Sequence, residues 1–174
     1  MALYLIELTP ATASKDEATA LIETVSNSLS EGAELIETQV SADHKLIFAI
    51  IESENTTFAP ALTAAIGERA SVVGPDEVRL VGAELDDIKK LKKDADYLVE
   101  WDIPAEITME QYLTRKKANA PKYAEVPEVS FLRTYVREDT AKCLCFYDAP
   151  DEDAVVRARE AVSTPIDRLF KLHA

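Results

Sequence analysis

Tyr97-Leu98-Val99-Glu100, near the middle of the chain, repeats Tyr4-Leu5-Ile6-Glu7 near its start, and a proline follows each copy a few residues later. A second match lies downstream, where residues 38–43 align with residues 134–139. Both copies then continue into an apolar run that ends in a carboxylate. Because order, spacing and chemical character all recur, the sequence predicts a duplicated module.

The length of the chain agrees with two small modules. The 174 residues divide into a diverged first module at 1–82, a charged bridging segment at 83–94 and a second module at 95–174. A module of roughly 80 residues buries only about 60% of its unfolded surface and is marginal alone. We therefore expect the two modules to pack on each other.

The net charge of −13 limits the candidate partners of this acidic protein. Nucleic acids and anionic membranes are bound through clustered Lys and Arg. The chain has two short basic clusters, Arg115-Lys116-Lys117 and Lys89-Lys90 with Lys92-Lys93, and such runs are typical of solvated helix faces. We predict no nucleic-acid and no membrane partner. A small molecule, a protein and a second copy of the chain are the candidates.

Three features indicate a cytoplasmic protein. No stretch approaches the ~20 consecutive apolar residues of a membrane span. The N-terminus lacks the basic region of a secretory signal. The two cysteines are too few for the disulfide framework of small secreted domains.

Hydrophobic periodicity predicts the order βαββαβ in the first module. One helix begins at the capping box Ser14-Lys15-Asp16-Glu17, and a second covers residues 57–70 with Pro60 in its first turn. The predicted strands cover residues 3–8, 34–40, 45–51 and 78–81. This is the order of the ferredoxin-like split βαβ fold, in which two helices cover one face of an antiparallel sheet.

The second module repeats this order. Its helices begin at the capping box Thr108-Met109-Glu110-Gln111 and after Pro150. Its strands are predicted at residues 97–101, 129–136, 141–147 and 169–172. Segment 83–94 is predicted to be a short bridging helix. The predicted fold class is α+β, with two tandem ferredoxin-like modules whose open sheet faces pack as a pseudo-dimer, like a dimeric α+β barrel.

The second module also resembles a known family. It combines Tyr97-Leu98-Val99-Glu100 with Ser130-Phe131-Leu132-Arg133-Thr134 and with Tyr147-Asp148-Ala149-Pro150. Over nearly all of residues 95–172 this pattern is similar to the family catalogued as domain of unknown function 4242. The resemblance implies a small ferredoxin-like protein, and some members of that family are described as nickel-binding.

The nickel expectation does not carry over to the residues present here. Histidines of the nickel-binding members lie at the end of the first strand and on the second helix, where this chain has Trp101-Asp102 and Ala158. Its own histidines, His44 in a predicted turn and His173 near the C-terminus, have no second ligand close in sequence. We therefore predict no metal and no cofactor.

Cys143 and Cys145 are the weak candidates for a metal or redox site. They are two residues apart on a predicted strand, so both side chains leave the same face. Soft thiolates bind zinc or copper(I), but such ions usually need three or four ligands. The alternative is that both are small buried apolar residues, as free cysteines usually are.

Glu7 and Glu100 occupy equivalent positions on equivalent predicted strands. If the modules pack sheet to sheet, these carboxylates could converge with Arg133 or Arg137 in a shared cavity, where a shifted pKa would mark a functional site. The alternative is that they form structural ion pairs at the strand ends.

Aromatic residues with polar edges occur on several predicted strands of the second module: Tyr97, Trp101, Tyr135 and Tyr147. Such residues on one sheet face would make a mixed pocket for a small organic ligand. The alternative is a core or an interface between modules. The acidic run at 148–153 lacks the spacing and central glycine of a calcium loop, and its position at a helix start explains it.

The sequence contains no Gly-rich phosphate loop and no arrangement of residues typical of nucleophilic catalysis. The leading hypothesis is a non-enzymatic protein of the bacterial cytoplasm that binds a small ligand or a protein partner. The candidate ligand-binding residues are Glu7, Glu100, Trp101, Arg133, Tyr135 and Tyr147. The first alternative is a cofactor-free isomerase or oxygenase with its site between the modules, and the second is a nickel-like metal-binding protein.

Any localised function is predicted to lie in the second copy, because the two copies differ at the residues whose side chains could carry out chemistry. In the second copy stand Trp101, Tyr135, Cys143 and Cys145; in the first their counterparts are Leu8, Gln39, Ile47 and Ala49.

Overall fold

The structure is a computed structural model that describes residues 1–91 and 94–172. Lys92, Lys93 and His173, which figured in the sequence analysis, lie outside the described residues. Two compact units emerge: a first unit of residues 1–78 and 86–91, and a second unit of residues 79–85 and 94–172. Among the described helices, none is long and apolar enough to cross a membrane.

The first half of the chain forms strands, helices and one short 3-10 helix in the order βαββαβ. The elements are β1 (Ala2–Pro10), α1 (Lys15–Ser28), β2 (Ala33–Val40), β3 (Ile47–Ser53), α2 (Ala59–Ile66), a 3-10 helix (Gly67–Arg69), β4 (Ala70–Val81) and α3 (Leu85–Lys89). The strands lie in the order β2-β3-β1-β4, and β3 pairs antiparallel with β2 and β1, as β1 does with β4.

The core of the first unit lies between its sheet and its helices. Alternate residues of β1 (Tyr4, Ile6 and Leu8) face α1 and α2 and are buried, as the two-residue period of a strand requires. The predicted helix start at Ser14 is confirmed, because its hydroxyl accepts a hydrogen bond from the Glu17 amide at 3.1 Å.

The second half of the chain repeats this arrangement. The elements are β5 (Tyr97–Asp102), α4 (Met109–Asn119), a 3-10 helix (Ala120–Glu125), β6 (Ser130–Arg137), β7 (Lys142–Asp148), α5 (Glu152–Ala161) and β8 (Arg168–Lys171). Their order, β6-β7-β5-β8, places the strands as in the first unit. The predicted α+β class with two ferredoxin-like modules is confirmed.

The register of the second sheet decides which side chains meet the helices. Trp101 lies opposite Cys143, and Val99 lies opposite Cys145. These four side chains belong to the buried cluster packed against α4 and α5. Glu100, which alternates with them, therefore leaves the other face of the sheet.

Two elements differ from their predicted bounds. The helix predicted at 57–70 covers only Ala59–Ile66, and β4 begins at Ala70 and runs through Gly74. A glycine is required at position 74, because its φ is +104° and an added Cβ would lie 2.5 Å from the Leu5 carbonyl oxygen. Gly74 thus lies within the strand, close to the register shift between β1 and β4.

The bridging helix is also shorter than predicted. Within the described part of segment 83–94, α3 covers Leu85–Lys89, and Ile88 is buried whereas Leu91 is half exposed. Lys89 holds this helix to the first unit through ion pairs to Glu34 at 3.3 Å and Glu52 at 3.1 Å.

Candidate functional site

A pocket opens on the helical side of the second unit, between the sheet, α4 and α5. Its lining comprises Trp101, Tyr112, Arg115, Lys116, Asn119, Ala120, Tyr123, Phe131, Cys143, Cys145, Arg159, Val162 and Thr164. All of these residues belong to the second unit. The space open to the centre of a water-sized sphere is about 40 Å³. Since one water needs about 10–15 Å³ by this measure, the pocket holds about three water-sized groups.

Helix α4 supplies one wall because one of its faces turns inward. Tyr112, Arg115, Lys116 and Asn119 are spaced at i, i+3, i+4 and i+7, which places them on the same side of a helix. A capping box fixes the start of this helix: the Thr108 hydroxyl accepts from the Gln111 amide at 3.2 Å, and the Gln111 side chain accepts from the Thr108 amide at 2.9 Å.

Three cationic side chains line the pocket. Lys116 places its Nζ 4.4 Å from the centroid of the Phe131 ring, and Arg115 places its Cζ 5.4 Å from the centroid of Trp101. Arg159 of α5 is only 2% exposed. Such cation–π contacts hold the two α4 cations against the aromatic walls, and Arg115 also donates from Nη2 to the Ser163 carbonyl.

No carboxylate balances these cations within the described chain. The pocket lining contains no Asp or Glu, and no ion pair of the described residues involves Arg115, Lys116 or Arg159. Buried charge is costly unless it is paired. In a protein with 32 acidic and 19 basic residues, this grouping gives the pocket a local positive charge.

Two buried donors that line the pocket have no partner among the described residues. These are the hydroxyl of Tyr112 and Nε of Arg159, and both side chains are at least 97% buried. Burial raises the pKa of Tyr112 well above its usual value, and the nearby cysteines raise it further, so the hydroxyl keeps its proton. An unsatisfied buried donor costs about 1–3 kcal/mol, which a ligand with acceptor oxygens would recover.

The other donors of Arg159 are used to fix its position. Nη1 donates to the Tyr147 hydroxyl at 3.1 Å, and Nη2 donates to the Pro165 carbonyl at 2.6 Å. The Tyr147 hydroxyl also shares a hydrogen bond of 2.7 Å with Tyr123. Burial raises the pKa of Tyr123 to about 12. This network sets the Arg159 guanidinium in place behind the pocket.

The two thiols of the pocket differ in their surroundings. The Thr134 hydroxyl donates to Cys145 Sγ at 3.1 Å, and Lys116 Nζ lies 4.0 Å from the same sulfur. Hydrogen bonding from Cys143, with the charges of Lys116 and Arg159, holds the Cys145 pKa well below its usual value despite burial. The same pairing and burial raise the pKa of Cys143. Cys145 is therefore the thiol that ionises first.

The residues predicted from the sequence fall on both sides of the second sheet. Trp101, Cys143 and Cys145 line the pocket, and Tyr147 lies directly behind it through its hydrogen bond to Arg159. Tyr97 belongs to the same buried cluster on the helical side. The sheet thus places four predicted residues at or beside one site.

Arg133, Tyr135 and Glu100 lie on the opposite face of this sheet. Tyr135 packs edge to face on Phe146 with ring centroids 5.9 Å apart, and Arg133 lies 4.9 Å from the centroid of the same ring. The four predicted aromatic residues therefore do not share one face of the sheet, because Tyr135 pairs with Leu144 on the face away from the pocket. Glu7 is a half-buried residue of the first unit.

Glu100 forms structural ion pairs, which was the alternative to a role in a ligand cavity. It is 3% exposed, accepts a hydrogen bond from Arg168, and lies 3.5 Å from Lys142. Arg168 also contacts Asp102 at 3.0 Å. These contacts tie β5 to β7 and β8.

The predicted solvated character of Arg115-Lys116-Lys117 holds for Lys117 alone. Arg115 and Lys116 are half-buried and line the pocket, whereas Lys117 is exposed. Arg115 and Lys116, and also Tyr112 and Arg159, were not predicted from the sequence as site residues. The spacing of Arg115 and Lys116 from Tyr112, at i+3 and i+4, could have predicted that all three lie on one face of the helix.

The donor set of the pocket does not fit a nickel ion. Trp101 and Ala158 occupy the positions where the family resemblance implied histidines. Two thiols remain, and Lys116 and Arg159 beside Cys145 oppose a further positive charge. Across residues 1–91 and 94–172, no three His, Cys, Asp or Glu side chains are grouped as a metal site would need.

A second hollow lies in the first unit and has a different character. It offers about 240 Å³ to water-sized spheres and is bordered by loop residues that include Glu31 and Glu54, with no Lys or Arg. It is not bordered by the first-copy counterparts of the candidate residues, which are Leu8, Gln39, Ile47 and Ala49.

Comparison with known proteins supports the fold. Residues 97–172 match the family described as nickel responsive protein SCO4226-like, which agrees with the nickel-related resemblance expected of the second module, and the assignment to domain of unknown function 4242 stays a prediction. No curated protein matches the chain in sequence. The solved structure of SCO4226 from Streptomyces coelicolor A3(2) is 18% identical, with a TM-score of 0.39, over 45% of this chain and 95% of that one.

Two solved structures resemble nearly the whole chain. TA0507, provisionally assigned as a chlorite dismutase, has a TM-score of 0.59 at 16% identity and covers 100% of this chain and 96% of its own. FN1347 from Fusobacterium nucleatum subsp. nucleatum, provisionally assigned as a monooxygenase, has a TM-score of 0.55 at 12% identity, with coverage of 98% and 90%. At these identities the likeness shows the fold alone.

Proposed function

We propose that the second unit binds a small organic anion, a carboxylate of a few heavy atoms, in the pocket between its sheet, α4 and α5. The observation that carries this proposal is the convergence of Arg115, Lys116 and Arg159 on a pocket without a carboxylate. Charge-assisted hydrogen bonds to a ligand oxygen are among the stronger polar contacts in proteins. The proposal refines the prediction of a small-ligand-binding protein.

The size and walls of the pocket support a short aliphatic acid. A carboxylate with one or two further carbons matches the space of about 40 Å³, whereas benzene occupies an engineered cavity of about 150 Å³. Trp101 and Phe131 supply apolar surface for the carbon atoms. The unpartnered Tyr112 hydroxyl and Arg159 Nε are the donors that the carboxylate oxygens would satisfy.

An enzymatic role is the second proposal, because the two structures that share the fold are named for chlorite dismutase and monooxygenase activities. Their names carry no substrate over to this chain. The feature of this chain that favours chemistry is the low-pKa thiol of Cys145 at the pocket. A cofactor-free isomerase or oxygenase between the modules stays a prediction.

The test of the binding proposal compares two neighbouring lysines of α4. Lys116→Met removes a pocket cation and preserves side-chain length, and Lys117→Met removes an exposed charge one residue away. Because a hydrogen bond to a charged group contributes about 1.5–3 kcal/mol, Lys116→Met is expected to weaken acetate binding by about tenfold to a hundredfold. Titration calorimetry measures both affinities.

Lys117→Met is expected to change acetate affinity by less than about twofold, as exposed charges contribute little. Equal effects of the two substitutions would show that only the general charge of the protein matters. Thermal unfolding of each variant without acetate controls for loss of folding.

A further inference from the structure

We propose that Cys145 is a nucleophile that adds to a short α,β-unsaturated carboxylate held in the cationic pocket. This inference rests on the proposed function, because the carboxylate of the electrophile would occupy the same site as acetate. Cys145 lines the pocket, and its sulfur is 4.0 Å from the ammonium of Lys116. The reacting group and the anion-binding groups therefore share one cavity.

The charges of the site are sufficient for both a thiolate and a bound anion. Arg115, Lys116 and Arg159 supply three positive charges, and no described carboxylate offsets them. A thiolate at Cys145 and one carboxylate supply two negative charges. The balance leaves the pocket with a small positive excess, so a thiolate does not exclude the ligand.

The two thiols have separate roles in this arrangement. Cys145 accepts a hydrogen bond from Thr134 at 3.1 Å, which stabilises its ionised form. Cys143 has a raised pKa and stays protonated beside it. A thiolate is the nucleophilic form of cysteine. The structure therefore selects Cys145 over Cys143, although both are free and both line the pocket.

The reaction is an addition in which atoms and electrons balance without a cofactor. The sulfur of Cys145 forms a bond to the β-carbon, and the π electrons of the carbon–carbon double bond move towards the carboxylate. The resulting enediolate is stabilised by the pocket cations, as developing negative charge is in other preorganised sites. The α-carbon then takes one proton from water, and the product is a thioether.

The experiment uses iodoacetate and iodoacetamide as probes, because they differ mainly in charge. In both, the carbon–sulfur bond forms as iodide leaves with its electron pair. We expect Cys145 of the native chain to be alkylated, with an iodoacetate to iodoacetamide rate ratio at least about tenfold above that of free cysteine, since a cationic cleft concentrates anions. Peptide mass spectrometry locates the modified residue.

Three controls make the result decisive. Cys143→Ser keeps a hydroxyl beside Cys145 and should leave Cys145 as the alkylated residue, Cys145→Ser should abolish the reaction, and Lys116→Met should lower the ratio towards that of free cysteine. Modification of Cys143 instead of Cys145, no modification by either reagent, or a ratio equal to that of free cysteine would each overturn the inference. Addition of acrylate at Cys145, detected as a mass increase, is the expected result with the proposed substrate class.

Acetate binding separates this inference from the function on which it rests. If the wild type and Cys145→Ser both bind acetate but Cys145 is not alkylated, the nucleophile is wrong and the binding function stands. If acetate does not bind to either protein, the binding function itself fails. When both are correct, acetate protects Cys145 of the wild type from iodoacetate.

Discussion

Single residues of the second unit show how burial gives ordinary side chains unusual properties. Arg159 is 2% exposed, yet its guanidinium is fixed by the Tyr147 hydroxyl and the Pro165 carbonyl while Nε keeps a free donor. The sequence alone could not indicate that Arg159 is buried, because an arginine near a helix end usually points to water. Only the packing of α5 on the sheet turns it inward.

Glu100 is expected to stabilise the fold and to leave ligand binding unchanged. Glu100→Gln removes a buried charge that holds Arg168 and Lys142. We expect a loss of about 1–3 kcal/mol in the free energy of unfolding, less than for a fully buried pair because Arg168 is partly exposed. Denaturant unfolding measures the loss, and titration calorimetry should show unchanged acetate affinity.

The control for Glu100 is Asp102→Asn, which removes the more exposed carboxylate bound to the same Arg168. Its expected cost is below about 1 kcal/mol. If Glu100→Gln cost no more than this control, the ion pairs of Glu100 would not be the stabilising feature that its burial suggests.

Tyr123 is expected to make the protein less stable in alkali. Its pKa is about 12 in the folded chain, against an ordinary value of 10.0, mainly because of burial. Between these values the folded state holds the proton more firmly than the unfolded state, so stability falls as pH rises from 10 towards 12. Denaturation midpoints at pH 9, 10 and 11 measure this fall.

Tyr123→Phe is the matched variant for that pH series. It should reduce the slope of stability against pH in this window, because one titrating group has been removed. An unchanged slope would mean that the alkaline fall arises from other tyrosines, such as the more deeply buried Tyr147.

At the scale of elements, α4 organises the pocket. Its start could be predicted from the sequence, because the capping box is local and needs no tertiary information. Its inward face was less evident, because Arg115-Lys116-Lys117 is a continuous run and consecutive residues point around a helix in different directions. The spacing from Tyr112 shows which members of the run turn inward.

Thr108→Ala is expected to destabilise α4 by about 1 kcal/mol through loss of the cap. The amide of Gln111 loses its hydrogen-bond partner and should exchange with deuterium faster. The matched control is Thr114→Ala, which replaces an exposed threonine within the same helix and should be neutral or slightly stabilising. If both substitutions had equal effects, the cap would not anchor the helix start.

For the whole molecule, the repeated strand, cap and hairpin signals were sufficient to predict two ferredoxin-like modules. Those signals are local, and they recur at a nearly constant offset, so the order of elements could be predicted from the sequence. The bounds of α2 and β4 could not be predicted, because a Gly-Pro pair such as Gly74-Pro75 usually marks a turn but here lies within a strand. The position of the pocket could not be predicted from the sequence either, because the pocket forms where the sheet, α4 and α5 meet.

The charge of the whole chain and the charge of the pocket have opposite signs. The protein carries −13 overall, and its long-range field therefore disfavours anions. Binding must come from short-range contacts with Arg115, Lys116 and Arg159. A ligand that binds through these contacts should be strongly selected by its charge, within the carbon skeletons short enough for the pocket.

The most direct measurement is titration of Trp101 fluorescence with acetate and with acetamide at constant ionic strength. Trp101 is the only tryptophan of the chain and lines the pocket, so its emission reports on this site. We expect a saturable change with acetate and at least about tenfold weaker binding of acetamide, as loss of one charge-assisted contact predicts. Equal responses to the two compounds, or no saturable response to acetate, would contradict an anion-binding pocket in the second unit.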